Sequence, residues 1–327
     1  MSKEIKRIAV FTSGGDAPGM NAALRAVVRT ASFHDLHVYG ITRGYEGMID
    51  GDLERLEPRN VANIIHRGGT FLKTARSKRF MTKEGRQTAY ESLLANDIDA
   101  CIAIGGNGTF TGAEVFSTEF DIPFIGIPGT IDNDLYGTDF TIGFDTAINT
   151  AIEAVDRIRD TADSHNRLFF IEVMGRHSGF IAVSTAIGSG AGSVLIPEND
   201  TPIEDLIQKL KLMARRKKLF SLVLVAEGNK TGGASEIAKK VEEALDFFDC
   251  KVTIIGHLQR GGSPSCLDRV LASRLGFGAV EALLAGQRNV MVGIINNNLT
   301  YTPFKDAISM EKEINQDLIR MAEILAT

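Results

Sequence analysis

The segment Thr130-Ile131-Asp132-Asn133-Asp134 carries the sharpest chemical signal in the chain. Two carboxylates stand two residues apart behind an apolar run and a Pro-Gly turn. In an extended backbone both would point to one side. One could then take a proton from a hydroxyl while the other serves a metal or the base. The same residues also suit a turn laced by Asx hydrogen bonds, and for the segment alone that turn is the stronger reading. Two glycine-rich turns bear on the choice. Gly14-Gly15-Asp16-Ala17-Pro18-Gly19-Met20-Asn21 has the glycine spacing of a P-loop but lacks its Lys-Ser/Thr ending. Gly105-Gly106-Asn107-Gly108-Thr109-Phe110-Thr111-Gly112 is not a dinucleotide fingerprint, because its third glycine falls one position late. Each suits phosphate oxygens approaching backbone N–H groups, since glycine has no Cβ, and each also suits a tight turn without a ligand. Arg76, Arg167, Arg176, His257 and Arg260 stand in or beside such turns. Scattered surface arginines mean little, but guanidinium forks match phosphate geometry. Glycine cradles, paired carboxylates and several arginines are together the components of phosphoryl transfer.

These residues need a scaffold, and the sequence supplies a repeated one. Short apolar runs end in glycine-rich or polar turns: Ile8–Phe11, Cys101–Ile104, Ile122–Ile127, Leu168–Val173, Leu222–Ala226 and Val252–Ile255. Continuous apolar runs without alternation suit strands buried on both faces of a parallel sheet. Between them, Asn21–Ser32, Ala147–Ile158, Leu206–Met213 and Ile237–Phe248 carry helical periodicity, and Met310–Ala326 reads as a closing helix. Strand–helix alternation predicts an α/β fold with right-handed crossovers. Ligands in such folds bind beyond the carboxyl ends of the strands, where the polar turns fall. The basic run Arg215-Arg216-Lys217-Lys218 reads as a helix C-terminus favoured by the macrodipole.

The bulk properties agree with an ordinary globular chain. The 327 residues, 44% hydrophobic and 24% charged, suggest about two domains. Thirty-six basic and 41 acidic residues give a net charge of −5, which argues against non-specific binding to nucleic acid or anionic membrane. The cysteines, Cys101, Cys250 and Cys266, have no metal or redox spacing and read as reduced thiols. No apolar run approaches the roughly 18 residues of a membrane span, and Ile8–Phe11 is too short for a signal peptide. A cytoplasmic protein is expected.

From end to end the chain resembles the bacterial-type, ATP-dependent 6-phosphofructokinases. The resemblance rests on Thr12–Asn21, Arg67-Gly68-Gly69-Thr70, Pro128–Asp134, Gly143-Phe144-Asp145-Thr146-Ala147, Glu172–Arg176 and Gly256–Pro264, in this order. It implies two Rossmann-like αβα domains with mainly parallel sheets and an active site in the cleft between them. Residues 1–143 with 259–309 would form a larger ATP-binding domain, and 144–258 with 310–327 a smaller one for fructose 6-phosphate. The implied reaction moves the γ-phosphate of MgATP to the 1-hydroxyl of fructose 6-phosphate, the committed step of glycolysis. By position, Asp132 matches the general base, flanked by Thr130 and Asp134, and Arg176 the cation at the transferring group. Gly15, Tyr45, Arg76, Ser77, Gly106, Asn107, Gly108 and Thr109 match the ATP site. Thr130, Ile131, Asp132, Met174, Gly175, Arg176, Glu227, His257 and Arg260 match sugar-phosphate contacts. Arg167 and Lys251 match contacts lent by a neighbouring subunit, which implies a homotetramer. Asn107 and Asp134 match the Mg²⁺ side of the site, and Arg25, Arg29, Arg159, Arg216 and Lys218 an allosteric anion pocket.

The sequence departs from the family pattern in three places. Asn107 replaces a usual Asp, keeping an oxygen but losing a charge that Mg²⁺ favours. Lys251 replaces arginine, a point charge in place of a fork. In the effector pocket Pro58, Gly192 and Leu219 stand where Arg, Glu and Lys are common, so phosphoenolpyruvate-like anions suit it better than ADP. Pyrophosphate-using relatives typically have Asp and Lys where this chain has Gly108 and Gly129, which favours ATP as donor. A relaxed-donor enzyme, and a weakly active regulatory subunit motivated by Asn107, are the alternatives. A dehydrogenase lacks its fingerprint here.

Overall fold

The computed structural model describes residues 5–163, 167–215 and 221–326. Arg216, Lys218 and Leu219 lie outside them. In chain order the first elements are β1 (Arg7–Thr12), α1 (Met20–Phe33), β2 (His37–Ile41), α2 (Gly44–Asp50), β3 (Leu53–Leu56), α3 (Lys83–Ala95), β4 (Ala100–Gly105), α4 (Asn107–Phe120), β5 (Phe124–Pro128) and α5 (Phe144–Asp163). There follow β6 (Arg167–Val173), α6 (Phe180–Ser189), β7 (Ser193–Leu195), α7 (Ile203–Arg215), β8 (Ser221–Ala226), α8 (Ala234–Ala244) and β9 (Asp249–Ile254). The last are α9 (Cys266–Leu284), β10 (Val290–Ile295), β11 (Asn298–Pro303), α10 (Phe304–Ser309) and α11 (Gln316–Leu325). The fold is α/β with mainly parallel sheets.

The chain divides into two compact units. The first comprises Met1–Ile131, Leu135–Thr146 and Arg260–Lys312. It holds a seven-stranded sheet of order β11-β10-β5-β4-β1-β2-β3, parallel except for the outer pairs β2/β3 and β10/β11. Every residue of β4 and β5 is buried, because helices cover both faces. The core gathers Phe11, Met48, Phe110, Phe116, Phe124 and Phe304. Strand order reverses at β1, which pairs with β2 on one side and β4 on the other. The loops after β1 and β4 lie at their carboxyl ends, where α/β folds place ligands.

The second unit comprises Asp132–Asp134, Ala147–Gln259 and Glu313–Thr327. Its four strands run parallel in the order β7-β8-β6-β9. Leu168, Phe170, Leu206, Leu210, Val223, Val225, Ile237 and Val241 build its core. The loops after β6, β8 and β9 emerge together at one end of this sheet.

Two helix expectations are corrected. Met310–Ala326 is not one helix: Met310 is extended, Glu311 bridges Leu135, and Lys312 donates to the Asp139 carbonyl at 2.8 Å. The helix begins only at Gln316, where the Asn315 side chain accepts from Asp317 N and caps it. Likewise α8 ends at Ala244, and Leu245–Phe248 closes in a turn in which Phe248 N donates to Leu245 O.

Candidate active site

The two glycine turns of the first unit pack directly against one another. A methyl on Gly105 would lie 2.3 Å from Thr109 Oγ1 and 2.5 Å from the Ser13 carbonyl oxygen. Ser13 N donates to Ile104 O, and Gly129 N to Gly105 O. The turns of β1, β4 and β5 thus share one layer of backbone, thin because Gly105 has no side chain. Above that layer there is space: a Cβ on Gly108 would meet nothing within 4 Å. Gly106 is the N-cap of α4, and no side chain caps that helix start, so its positive end is left for an anion. The Arg260 guanidinium lies over Gly15, 2.7 Å from where a Cβ would stand, and donates to Asp16 O at 3.1 Å.

Neighbouring segments brace this cradle. Tyr45 is buried, stacked on Phe80 at 4.0 Å between centroids, and its hydroxyl donates to Thr109 O at 2.6 Å. It supports the cradle from behind, and burial raises its phenol well above the ordinary value. Thr74 Oγ1 donates to Gly14 O at 2.7 Å, which ties the segment carrying Arg76 and Ser77 to the first turn. Arg76 is exposed. Ser77 Oγ accepts from Phe80 N and, ahead of Arg79, hydrogen-bonds Glu46, holding that carboxyl below its usual range.

The carboxylate segment follows β5. Thr130 lies beside the cradle, its Cβ 3.6 Å from the Cβ position of Gly106, and its carbonyl accepts from Thr141 Oγ1 at 2.6 Å. Ile131 is buried beneath it. Between Asp132 and Asp134 the backbone follows the turn reading, not the extended one. Asn133 between them has φ 54°, in the left-handed region that Asn tolerates. The turn chemistry prevails over the strand period. Asp132 and Asn133 are buried and Asp134 is half-buried. Asp132 O accepts from Ser178 Oγ at 2.9 Å.

In the second unit the loop after β6 makes a tight reversal through Met174, Gly175 (φ 148°) and Arg176 (φ 55°). A non-glycine residue in left-handed backbone needs external support. Arg176 N donates to Glu227 Oε1 at 2.7 Å, Ser178 N to Gly175 O, and Met174 N to Gln259 Oε1 at 2.8 Å. Arg176 and His257 present exposed side chains. Arg167 and Lys251 converge on Asp249 of the edge strand β9, at 2.8 and 2.5 Å. Lys251 first, then Arg167, holds the Asp249 carboxyl below its usual range.

Arg25 and Arg29 stand one turn apart on α1, and the Arg25 guanidinium is lowered by burial and then by Arg29. Arg159, on α5, donates to the Ser189 carbonyl. Sequence reasoning missed three anchoring residues: Asp249, Gln259 and Asp268. Asp268 is buried and accepts from Gly143 N and Thr146 N at 2.8 Å and from Thr146 Oγ1 at 2.5 Å. No local pattern marks the roles of Gln259 and Asp268, because the groups they accept from are distant in sequence, whereas Asp249 pairs with Lys251 two residues along its own strand as well as with Arg167.

Among the described residues no group of three or more His, Cys, Asp or Glu is arranged to hold a metal ion. A glycine cradle at a strand-order reversal, with arginine over Gly15 and Thr130 beside Gly106, has the features of a phosphate-handling α/β protein of the phosphotransfer class.

Comparison with known proteins makes this specific. The sequence pattern described as Phosphofructokinase matches residues 7–283. The ATP-dependent 6-phosphofructokinase of Cytophaga hutchinsonii is 56% identical over 98% of both chains. Phosphofructokinase from Saccharomyces cerevisiae has the same fold, with TM-score 0.90 and 35% identity over 98% of this chain and 48% of that one. A pyrophosphate-dependent phosphofructokinase from Marinobacter aquaeolei superposes with TM-score 0.85 and 26% identity, covering 98% and 92%. The chain belongs to the phosphofructokinase family.

Proposed function

We propose that this chain is an ATP-dependent 6-phosphofructokinase, forming fructose 1,6-bisphosphate and ADP in the committed step of glycolysis. The observation that carries the reading is Thr130, the entry to the carboxylate turn, set against the open Gly106–Gly108 cradle. A phosphoryl group on that cradle would lie against Thr130, two residues before Asp132 in the chain.

The first unit binds the nucleotide through Gly15, Arg76, Ser77 and Gly106–Thr109, with Tyr45 behind them. The second binds the sugar phosphate through Met174, Gly175, Arg176, Glu227 and His257, joined by Arg260 and by Ile131, whose buried side chain leaves only its main chain for that role. Asp132 accepts the proton of the sugar 1-hydroxyl as that oxygen attacks the γ-phosphorus. The bond to the β,γ-bridging oxygen breaks and ADP departs. Arg176 and Thr130 stabilise the charge on the transferring group. Asp134 and the Asn107 carboxamide oxygen would hold the Mg²⁺ of MgATP, which would neutralise charge on the phosphate oxygens. With one charge fewer at position 107, either the affinity for the metal would fall or Asp134 would carry more of that interaction. Arg167 and Lys251 serve a neighbouring subunit in a homotetramer, and Arg25, Arg29 and Arg159 serve the binding of an allosteric anion, a role that the sequence resemblance extends to Arg216 and Lys218 outside the described residues. No helix of the described residues is long and apolar enough to cross a membrane, in keeping with a cytoplasmic enzyme.

Two positions favour ATP over pyrophosphate. The space above Gly108 leaves room for the rest of a nucleotide, whereas an Asp there would fill and charge it. A Cβ on Gly129 would lie 2.9 Å from Met20 Cε and 3.2 Å from Ile104 Cγ2, so a lysine would need repacking. A coupled assay with MgATP or pyrophosphate at equal concentration tests the donor. Turnover requiring both MgATP and fructose 6-phosphate is expected, and faster turnover with pyrophosphate would refute the donor assignment.

A further inference from the structure

Gln259 sits in the 3-10 turn Gly256–Arg260, between His257 and Arg260, and is 0% exposed. Its side chain is therefore out of reach of any substrate. Its carboxamide oxygen accepts from Met174 N at 2.8 Å, and its amide nitrogen donates to Ala147 O at 3.4 Å. One partner is a pure donor and the other a pure acceptor, so the amide has a single satisfying orientation. The first bond is short and buried, and it fixes the residue from which the Gly175–Arg176 reversal departs. Glu227 holds the other side of that reversal, at Arg176 N. Backbone at φ 148° and φ 55° needs such anchors.

We infer that Gln259 is a positioning residue of the sugar-phosphate site. It sets the Met174–Arg176 backbone through a main-chain N–H and locks that loop to the turn presenting His257. The inference rests on the phosphofructokinase reading and goes beyond it by assigning a role to a residue that contacts neither reactant. Its signature is selectivity, because the residue acts on the sugar side alone.

The test compares wild type with Gln259→Met, which keeps length and volume but leaves Met174 N without its acceptor, and with Gln259→Glu, which keeps an acceptor for Met174 N. Leaving a buried group unpaired is costly, so Gln259→Met should lose about 10–100-fold in kcat/KM for fructose 6-phosphate. Its KM for MgATP should stay within about twofold of wild type, and Gln259→Glu should recover part of the sugar-side loss. If Gln259→Met does not fold, a raised sugar KM with unchanged MgATP KM in Gln259→Glu is the supporting result. Folded variants with wild-type kinetics, or equal losses toward both substrates, would overturn the inference. A wild-type enzyme unable to phosphorylate fructose 6-phosphate would instead overturn the reading beneath it, and the inference with it.

Discussion

The glycine cradle of the first unit and the Met174–Arg176 reversal of the second are both loops at the carboxyl ends of parallel strands, yet they are fixed in opposite ways. The cradle is held by what is absent. Gly105 lets the Ser13 carbonyl and the Thr109 side chain close over it, and any Cβ there would collide with both. The reversal is held by what is present: Glu227 and Gln259 reach in from distant segments and grip the main-chain N–H groups on either side of Gly175. A loop meant to cradle phosphate must expose backbone, so side chains are removed from it. A loop meant to present a cationic side chain in left-handed backbone needs anchors to hold it there.

Asp268 follows the second plan within the first unit, and substitutions at it should give the largest stability effect. Asp268→Ala leaves two buried N–H groups and a hydroxyl without their acceptor, and a loss of about 3 kcal/mol is expected from the cost of each unpaired donor. Urea denaturation checks it, and a change under about 0.5 kcal/mol would show that the anchors are dispensable. Gly105→Ala probes the first plan from the other side. Overpacking a closed layer costs about 1–3 kcal/mol, and here it should also raise KM for MgATP while leaving sugar KM near wild type. Equal rises in both would erase the contrast between the two loops.

The smallest effect separates two carboxylates by sign. Burial raises Asp268 above its ordinary value, against hydrogen bonds from Thr146 and Gly143 that lower it. Its contribution is most favourable below the unfolded value, about 3.9, and is lost as pH rises through the folded value. Asp249 is lowered by Lys251 and Arg167, so its contribution is present above about 3.9 and is lost as pH falls through the folded value. In thermal melts from pH 7 downward, wild type should gain on Asp268→Asn and lose slightly to Asp249→Asn. Parallel trends would contradict these electrostatic assignments.

The contrast between the loops also explains what the sequence revealed. Buried parallel strands such as β4 and β8 announce themselves as unbroken apolar runs, and a cradle made by omission is written as adjacent glycines. Anchored loops leave no local trace. Gln259 lies 85 residues from Met174 along the chain, and Asp268 lies 125 from Gly143. Asp132 and Asp134 were legible locally: their spacing left an extended pair open, but the Asx turn was the stronger reading of the segment, and the left-handed Asn133 follows it. The tail misled because apolar periodicity runs through Met310–Ala326, whereas the ties of Glu311 and Lys312 to residues 135 and 139 straighten the chain ahead of the Asn315 cap.

The central claim is that Asp132 takes the proton of the sugar hydroxyl during transfer from MgATP. Single-turnover phosphorylation of fructose 6-phosphate by folded Asp132→Asn, with both substrates saturating, tests it most directly. A positioned base is worth about 10²–10⁴ in rate, so the transfer step should slow by that factor while the apparent affinities for both substrates stay near wild type. A transfer rate within tenfold of wild type would contradict the assignment.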